Sequence, residues 1–154
     1  LISIGDIRPA ASLLLRQAFS LGFFMPVKDA RDLKGKSGLT RLINATKYSA
    51  DGIRTAFKNE EAFRQESLGA VVLVPVAFFL PVSLPLTLWC VFSLVFLLVT
   101  ELLNSGIEAA IDRIGPEIHP LSKYAKDAGS AAVLFALTFT VITWVSVILS
   151  IFFA

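Results

Sequence analysis

The sequence contains very little cysteine and little charge. Its only cysteine among 154 residues is Cys90, so a framework of disulfide bonds is excluded. Charged residues make up 17% of the chain, and a net charge of +2 does not point to a nucleic-acid partner. Hydrophobic residues make up 55%, and the mean hydropathy is +0.73. This composition is too apolar for an ordinary soluble protein.

Three long apolar runs account for this composition. They cover residues 68–80, 84–99 and 128–154. Each run extends to the roughly 20 residues that a bilayer crossing requires. We therefore predict membrane spans at about residues 61–81, 84–114 and 122–153, with no internal repeats and no low-complexity tracts.

Basic residues predict how these spans are oriented. Eleven of the 14 Lys and Arg residues precede the first run, and none lies between residues 81 and 85. The other three lie at positions 113, 123 and 126. Because basic loops stay in the cytoplasm, we predict a cytoplasmic N-terminus and a C-terminus on the opposite side of the membrane.

The region before the first span is predicted to lie on the membrane surface. Between residues 39 and 58, apolar side chains recur at helical spacing, with Arg41, Lys47, Arg54 and Lys58 on the other side. This pattern is typical of an amphipathic helix on the cytoplasmic leaflet, where basic residues contact anionic lipid headgroups. Residues 1–36 are interpreted as an N-terminal extension of unknown role, and residues 37–154 as one membrane domain.

A phosphate-binding-loop pattern in the extension is interpreted as a chance match. Residues 30–37 read ARDLKGKS, which fits a loose form of that pattern. The mechanism requires a buried strand before the loop and a parallel sheet around it. Here the preceding residues are charged, and nothing later in the chain supplies such a sheet.

A polar stripe in the second span is the strongest functional signal. Residues 101–112 read ELLNSGIEAAID. At about 100° per residue, Glu101, Asn104, Glu108 and Asp112 fall within a stripe of roughly 80°. Carboxylates at membrane depth are costly and mark functional sites by default, and several on one face require a cation. The alternatives are polar contacts between helices and carboxylates that share a proton.

Further polar residues lie on the same predicted side of the membrane. Glu60 and Arg64 are one turn apart at the start of the first span, and Lys126 is placed to meet a phosphate at the start of the third. Mg²⁺ typically takes one or two carboxylates together with phosphate oxygens, so Glu60 could complete a Mg²⁺ site. The alternative is that these residues anchor the span ends at the interface.

The stripe and its flanking sequences carry a resemblance to a known family. ELLNSGIEAAID, preceded by NEEAFRQE and followed by DRIG and AKDAGSAAVL, resembles the small prokaryotic integral-membrane diacylglycerol kinases. The resemblance covers about residues 38–154. It implies an all-α homotrimer in the bacterial inner membrane, with a surface helix and three spans per subunit, a periplasmic C-terminus and active sites shared between neighbours. It also implies transfer of the γ-phosphate of MgATP to the primary hydroxyl of diacylglycerol, giving phosphatidic acid.

The resemblance also implies roles for individual residues. Glu101 matches the general base, and Glu60 and Glu108 match the carboxylates that hold Mg²⁺ with ATP. The positions expected to bind the nucleotide are Arg41, Tyr48, Glu60, Asn104, Glu108, Glu117, His119, Lys126 and Asp127. The positions expected to bind the lipid are Arg41, Arg64, Glu66, Glu101, Ser130 and Trp144.

The chain departs from the family pattern at three positions. Gly106 stands where the motif usually has Ala or Ser, and Asn44 and Ile118 stand where relatives often have a basic and an aromatic residue. Two other functions remain open: an undecaprenol kinase of the same fold, and a non-enzymatic bundle such as a small cation transporter. An inactive relative is disfavoured by the intact set of Glu60, Glu101 and Glu108.

Overall fold

Four α-helices make up the part of the chain that the computed structural model describes, which is residues 38–115, 117 and 119–153. The helices are α1 (Leu39–Asn59), α2 (Glu61–Phe79), α3 (Leu84–Asp112) and α4 (Pro120–Phe153). Within these residues there is no strand, so the predicted all-α class is confirmed. The interpretation of residues 1–36 and the departure at Ile118 lie outside the described residues.

Three of these helices have the length and composition of membrane spans. The most apolar 18-residue windows of α2, α3 and α4 have mean hydropathies of 1.3, 2.3 and 2.4. Large apolar side chains stay exposed along them, among them Phe79 and Phe153. Such surfaces are expected where the surrounding solvent is lipid rather than water. The three predicted spans therefore correspond to three helices.

The helix ends differ from the predicted ends by about two residues. Helix α2 ends at Phe79 because Pro81 disfavours a helical conformation at Leu80, which is extended at φ −67° and ψ 139°. Helix α4 begins at Pro120 rather than at residue 122, since the fixed φ of proline suits the first helical position. Helix α3 ends at Asp112, shortly before Gly115, whose φ of 154° favours glycine.

Helix α3 is central, since it packs against both α2 and α4. The buried cluster between these helices is built mainly from small and medium-sized side chains. Its members are Ala70, Ala77, Cys90, Leu94, Trp144 and Val147. Small residues let helix backbones approach closely, which is the main source of helix association in a membrane.

A polar contact also joins α3 to α4. The Thr140 hydroxyl is buried and lies 3.0 Å from the Ser93 carbonyl oxygen of α3 and 2.9 Å from the Ala136 carbonyl oxygen of its own helix. Ser93 is completely buried, and its hydroxyl donates to the Cys90 carbonyl oxygen at 2.8 Å. In contrast, the exposed Thr138 hydroxyl donates only within α4, to Leu134.

The corner between α1 and α2 is held by an arginine. Glu60 is the only residue between the two helices. Arg64 donates from Nη1 to the carbonyl oxygens of Phe57 and Lys58, both at 3.4 Å. These carbonyls lie at the end of α1, where a helix leaves acceptors unpaired and carries partial negative charge. The chain divides into two compact units between Thr46 and Lys47, so the corner belongs to the second unit.

We predict that Thr140→Val destabilises the bundle by about 0.6 kcal/mol, a typical value for hydrogen bonds between membrane helices. Unfolding in mixed detergent micelles, followed by circular dichroism, would measure it. Thr138→Val is the matched control, because its hydroxyl bonds only to its own helix. Equal losses from the two variants would contradict a stabilising contact between α3 and α4.

Candidate functional site

The Glu101 side chain lies within α3 and is almost completely buried, with 5% of its surface exposed. The two preceding turns of α3 contribute buried Leu94 and Leu97. The stripe then becomes more exposed toward the end of the helix: Asn104 and Glu108 are half-buried, and Asp112 is exposed. The stripe therefore runs from the helix interface out to an exposed helix end.

Glu101 is surrounded by other carboxylates. Its charge is repelled by those of Glu60, Glu66 and Glu108. Glu60 precedes α2 and makes no side-chain capping bond, and Glu66 lies on the second turn of α2. A single chain thus brings the beginning of α2 and the end of α3 together around one negatively charged centre. Such a centre favours binding of a cation or a proton.

The carboxylate of Glu108 is held by its neighbour on the stripe. Asn104 donates from Nδ2 to Glu108 Oε1 at 3.3 Å. The other amide atom, Asn104 Oδ1, is buried and has no hydrogen-bond partner among the described residues. Asn104 therefore orients Glu108 and leaves one oxygen free on the amide.

An apolar groove approaches the carboxylates from the middle of the bundle. Its volume is about 340 Å³, and residues of α2, α3 and α4 line it. Glu66 and Trp144 both line this groove, as expected if they bind one lipid. Each carries a buried polar atom without a partner among the described residues, Glu66 Oε2 and Trp144 Nε1. The groove therefore has apolar walls, and two of its lining residues each carry a buried polar atom without a partner among the described residues.

A polar cavity of about 280 Å³ lies at the other end of the stripe. Glu117, Lys126 and Asp127, all predicted to bind the nucleotide, line it together with Asp112 and Lys123. Lys126 is paired with Asp112, and Lys123 is paired with Asp127. Lys126 is also attracted by the charge of Glu108. The cavity thus meets the stripe at Asp112, which both lines it and pairs with Lys126.

Asp112 lines this cavity, although the sequence did not predict that it binds nucleotide or lipid. It belonged to the predicted stripe, but nothing in the sequence indicated that Lys126, 14 residues later, would be its partner. Their pairing depends on how α3 and α4 approach each other after the intervening turn. Lys126 is therefore neutralised by a carboxylate in this structure, and a phosphate would have to compete for it.

His119 has a structural contact that the sequence analysis did not predict. Its Nδ1 accepts the backbone N–H of Leu121 at 3.2 Å. His119 immediately precedes α4, so its imidazole caps one of the unpaired N–H groups at the start of that helix. It also lines a larger polar hollow, of about 630 Å³, together with Glu117. The prediction that His119 binds a nucleotide stays a prediction.

Three other predicted residues, Arg64, Ser130 and Tyr48, do not line the groove or the polar cavity. Arg64 is engaged at the end of α1, and Ser130 is exposed on α4. Tyr48 is exposed on α1, while Arg41 lies in the first turn of that helix and belongs to the other compact unit. Their predicted roles in binding nucleotide or lipid stay predictions.

The residues predicted to hold Mg²⁺ have suitable chemistry. In residues 38–115, 117 and 119–153, no three His, Cys, Asp or Glu side chains form a metal-binding group. Mg²⁺ bound with a nucleotide needs only one or two carboxylates, because phosphates and waters supply the other oxygens. Glu60 and Glu108 both act electrostatically on Glu101, and Asn104 holds the Glu108 carboxylate by a hydrogen bond. This donor set fits a divalent ion that arrives with phosphate.

Together, the fold and the site define an integral membrane protein in which a stripe of carboxylates lies between an apolar groove and a polar cavity. Residues 47–148 match the profile of the family described as prokaryotic diacylglycerol kinase. Diacylglycerol kinase of Pseudomonas aeruginosa is 51% identical over 116 residues, covering 75% of this chain and 94% of the relative.

Two further relatives give the same result. Diacylglycerol kinase of Haemophilus influenzae is 48% identical over 108 residues, covering 70% of this chain and 92% of the relative. Diacylglycerol kinase of Escherichia coli K12 is 47% identical over 108 residues, covering 70% of this chain and 88% of the relative. The chain belongs to the prokaryotic diacylglycerol kinase family, and the protein is a kinase.

We predict that Lys126→Met lowers kinase activity about ten-fold or more, as loss of a hydrogen bond to a charged group would. Asp112→Asn should have a much smaller effect, because it also breaks the ion pair but keeps the Lys126 charge. Initial rates on both purified variants, with thermal unfolding as a check on folding, would measure this. If both variants lost activity equally, the ion pair rather than the cation would be what matters.

Proposed function

We propose that the protein transfers the γ-phosphoryl group of MgATP to the primary hydroxyl of diacylglycerol, giving phosphatidic acid. The observation that carries this proposal is the position of Glu101 between two different compartments. On one side of Glu101 along α3, Leu94 and Leu97 line the apolar groove. On the other side, Ile111 and Asp112 line the polar cavity. Such a site suits one lipid and one water-soluble substrate.

The lipid would lie in the groove with its hydroxyl at Glu101. An acyl chain would contact the apolar walls of the groove, which Trp144 helps to form. The proton of the hydroxyl passes to the Glu101 carboxylate as the hydroxyl oxygen attacks the γ-phosphorus. The bond from the γ-phosphorus to the bridging oxygen breaks, and ADP leaves with the electron pair.

The phosphates would lie at the polar cavity, where Lys126 offers positive charge. Phosphoryl transfer depends mainly on positioning and on neutralising charge. Glu60 and Glu108 would hold Mg²⁺, which when bound with ATP neutralises charge on the phosphates. Glu108 lies about 10 Å further along α3 than Glu101, at 1.5 Å per residue. This offset suits a lipid that arrives from the membrane and a nucleotide that arrives from water.

The charge distribution supports an orientation for the chain. The N-terminus and the polar cavity would be cytoplasmic, and the C-terminus periplasmic, because eleven of the 14 basic residues precede the first apolar run at residue 68. Helix α1 would lie on the cytoplasmic leaflet as an amphipathic surface helix. Three such chains would form a homotrimer with active sites shared between neighbours in the bacterial inner membrane, as the family resemblance implies.

Phosphorylation in detergent micelles tests this function. Labelled ATP and Mg²⁺ would be supplied with diacylglycerol and undecaprenol side by side, and chelation of Mg²⁺ should stop the reaction. We expect label in phosphatidic acid. Label only in the polyprenol would assign the other lipid substrate to the same fold. Label in neither lipid, from an assembled protein, would contradict a lipid kinase and favour a non-enzymatic bundle.

We expect Glu101→Gln to lower the turnover number by about 100-fold or more, the usual contribution of a general base. Glutamine keeps the size of the side chain but cannot accept the proton, so the oligomer should remain assembled. Glu61→Gln is the control, since Glu61 is exposed and only accepts a hydrogen bond from Gln65. Normal turnover in Glu101→Gln would remove Glu101 from the mechanism.

A further inference from the structure

Gly129 of α4 lies directly against Asn104 on the functional stripe of α3. It is buried on α4, and a Cβ added there would lie 3.3 Å from Asn104 Cγ and closer still to Asn104 Oδ1. The other described glycines, at positions 38, 52, 69, 106 and 115, would meet nothing within 4 Å. At position 129, therefore, even a methyl group would collide with the Asn104 amide.

The orientation of the Asn104 amide is fixed from both sides. Glu108 Oε1 receives the hydrogen bond from Asn104 Nδ2, and an ionised carboxylate can only accept hydrogen bonds. The amide nitrogen must therefore face Glu108. The amide oxygen then faces α4, where it is buried without a hydrogen-bond partner, and where Gly129 presents no side chain.

We propose that Gly129 is a positioning residue for the kinase reaction. Its missing side chain leaves the space that the Asn104 amide occupies. Asn104 in this position holds the Glu108 carboxylate toward the nucleotide and its divalent ion. A side chain at position 129 would force the amide to turn, and the bond to Glu108 would be lost. This inference rests on the proposed function, because it concerns the affinity of that site for MgATP.

Steady-state kinetics of Gly129→Ala would test the inference. We expect the KM for MgATP to rise about ten-fold, the effect of losing a hydrogen bond to a charged group, and kcat to change much less. Alanine is a better helix former than glycine, so the weaker binding would not come from helix propensity. Gly106→Ala is the matched control, since Gly106 lies in α3 in open space, and it should leave both constants unchanged.

A double-mutant cycle identifies the contact responsible. Asn104→Ala removes the amide, so adding Gly129→Ala to it should change the KM for MgATP less than two-fold. Additive effects in this cycle would overturn the inference. So would a Gly129→Ala enzyme with the same constants as Gly106→Ala, or one that loses kcat with an unchanged KM.

Assembly of the variants provides a second measurement. If Gly129→Ala alone fails to assemble but the double variant assembles, the collision lies at Asn104, and the inference is supported. Failure of both would mean that Gly129 is needed for other packing and would overturn it. A wild-type protein without lipid kinase activity would contradict the proposed function itself, a result separate from any effect of these variants.

Discussion

Burial of the Glu101 carboxylate inside an apolar helix is the constraint on which the rest of the site depends. A charged group at this position is costly unless an opposite charge compensates it or a proton neutralises it. The structure adds three further carboxylates around Glu101, so the need for positive charge increases. In the proposed reaction, the nucleotide brings the divalent ion and the lipid hydroxyl brings the proton. Both substrates would therefore reduce the repulsion among these carboxylates.

The central position of α3 suits this one helix to the two substrates of the proposed reaction. Its middle packs against α2 and α4, and its apolar side chains form one wall of the groove. Its last turns leave this interface and carry Glu108 and Asp112 toward the polar cavity. Solvent exposure therefore increases along the stripe from Glu101 to Asp112. In the proposed reaction, the site changes in the same direction from the lipid to the nucleotide. The lipid-facing and water-facing parts are separated by position along a single helix, so no additional domain is needed to keep them apart.

The sequence predicted the features that depend on periodicity. The three spans follow from apolar runs, and the grouping of Glu101, Asn104 and Glu108 follows from helical spacing within α3. The contacts that the sequence did not predict depend on how helices pack together or on the rotamer of one side chain. The pair of Asp112 with Lys126 depends on the approach of two helices. The sequence likewise did not indicate that Arg64 bonds to the carbonyls that end α1. Gly129 occurs in a quoted motif, yet only the position of Asn104 reveals why glycine fits there.

The short corner between α1 and α2 has a consequence for how the chain tolerates changes in length. Glu60 alone separates the two helices, and Arg64 ties the start of α2 to the last carbonyls of α1. No loop is available to absorb an inserted or deleted residue. An insertion in the first turns of α2 would rotate the residues on its two sides relative to each other by about 100°. The angle between Glu60 and Glu66 around the axis would then change from about 120° to about 20°, so the two carboxylates would lose their present arrangement. The number of residues at this corner is therefore as constrained as the identity of the carboxylates. We expect natural variation in length to occur elsewhere in the chain.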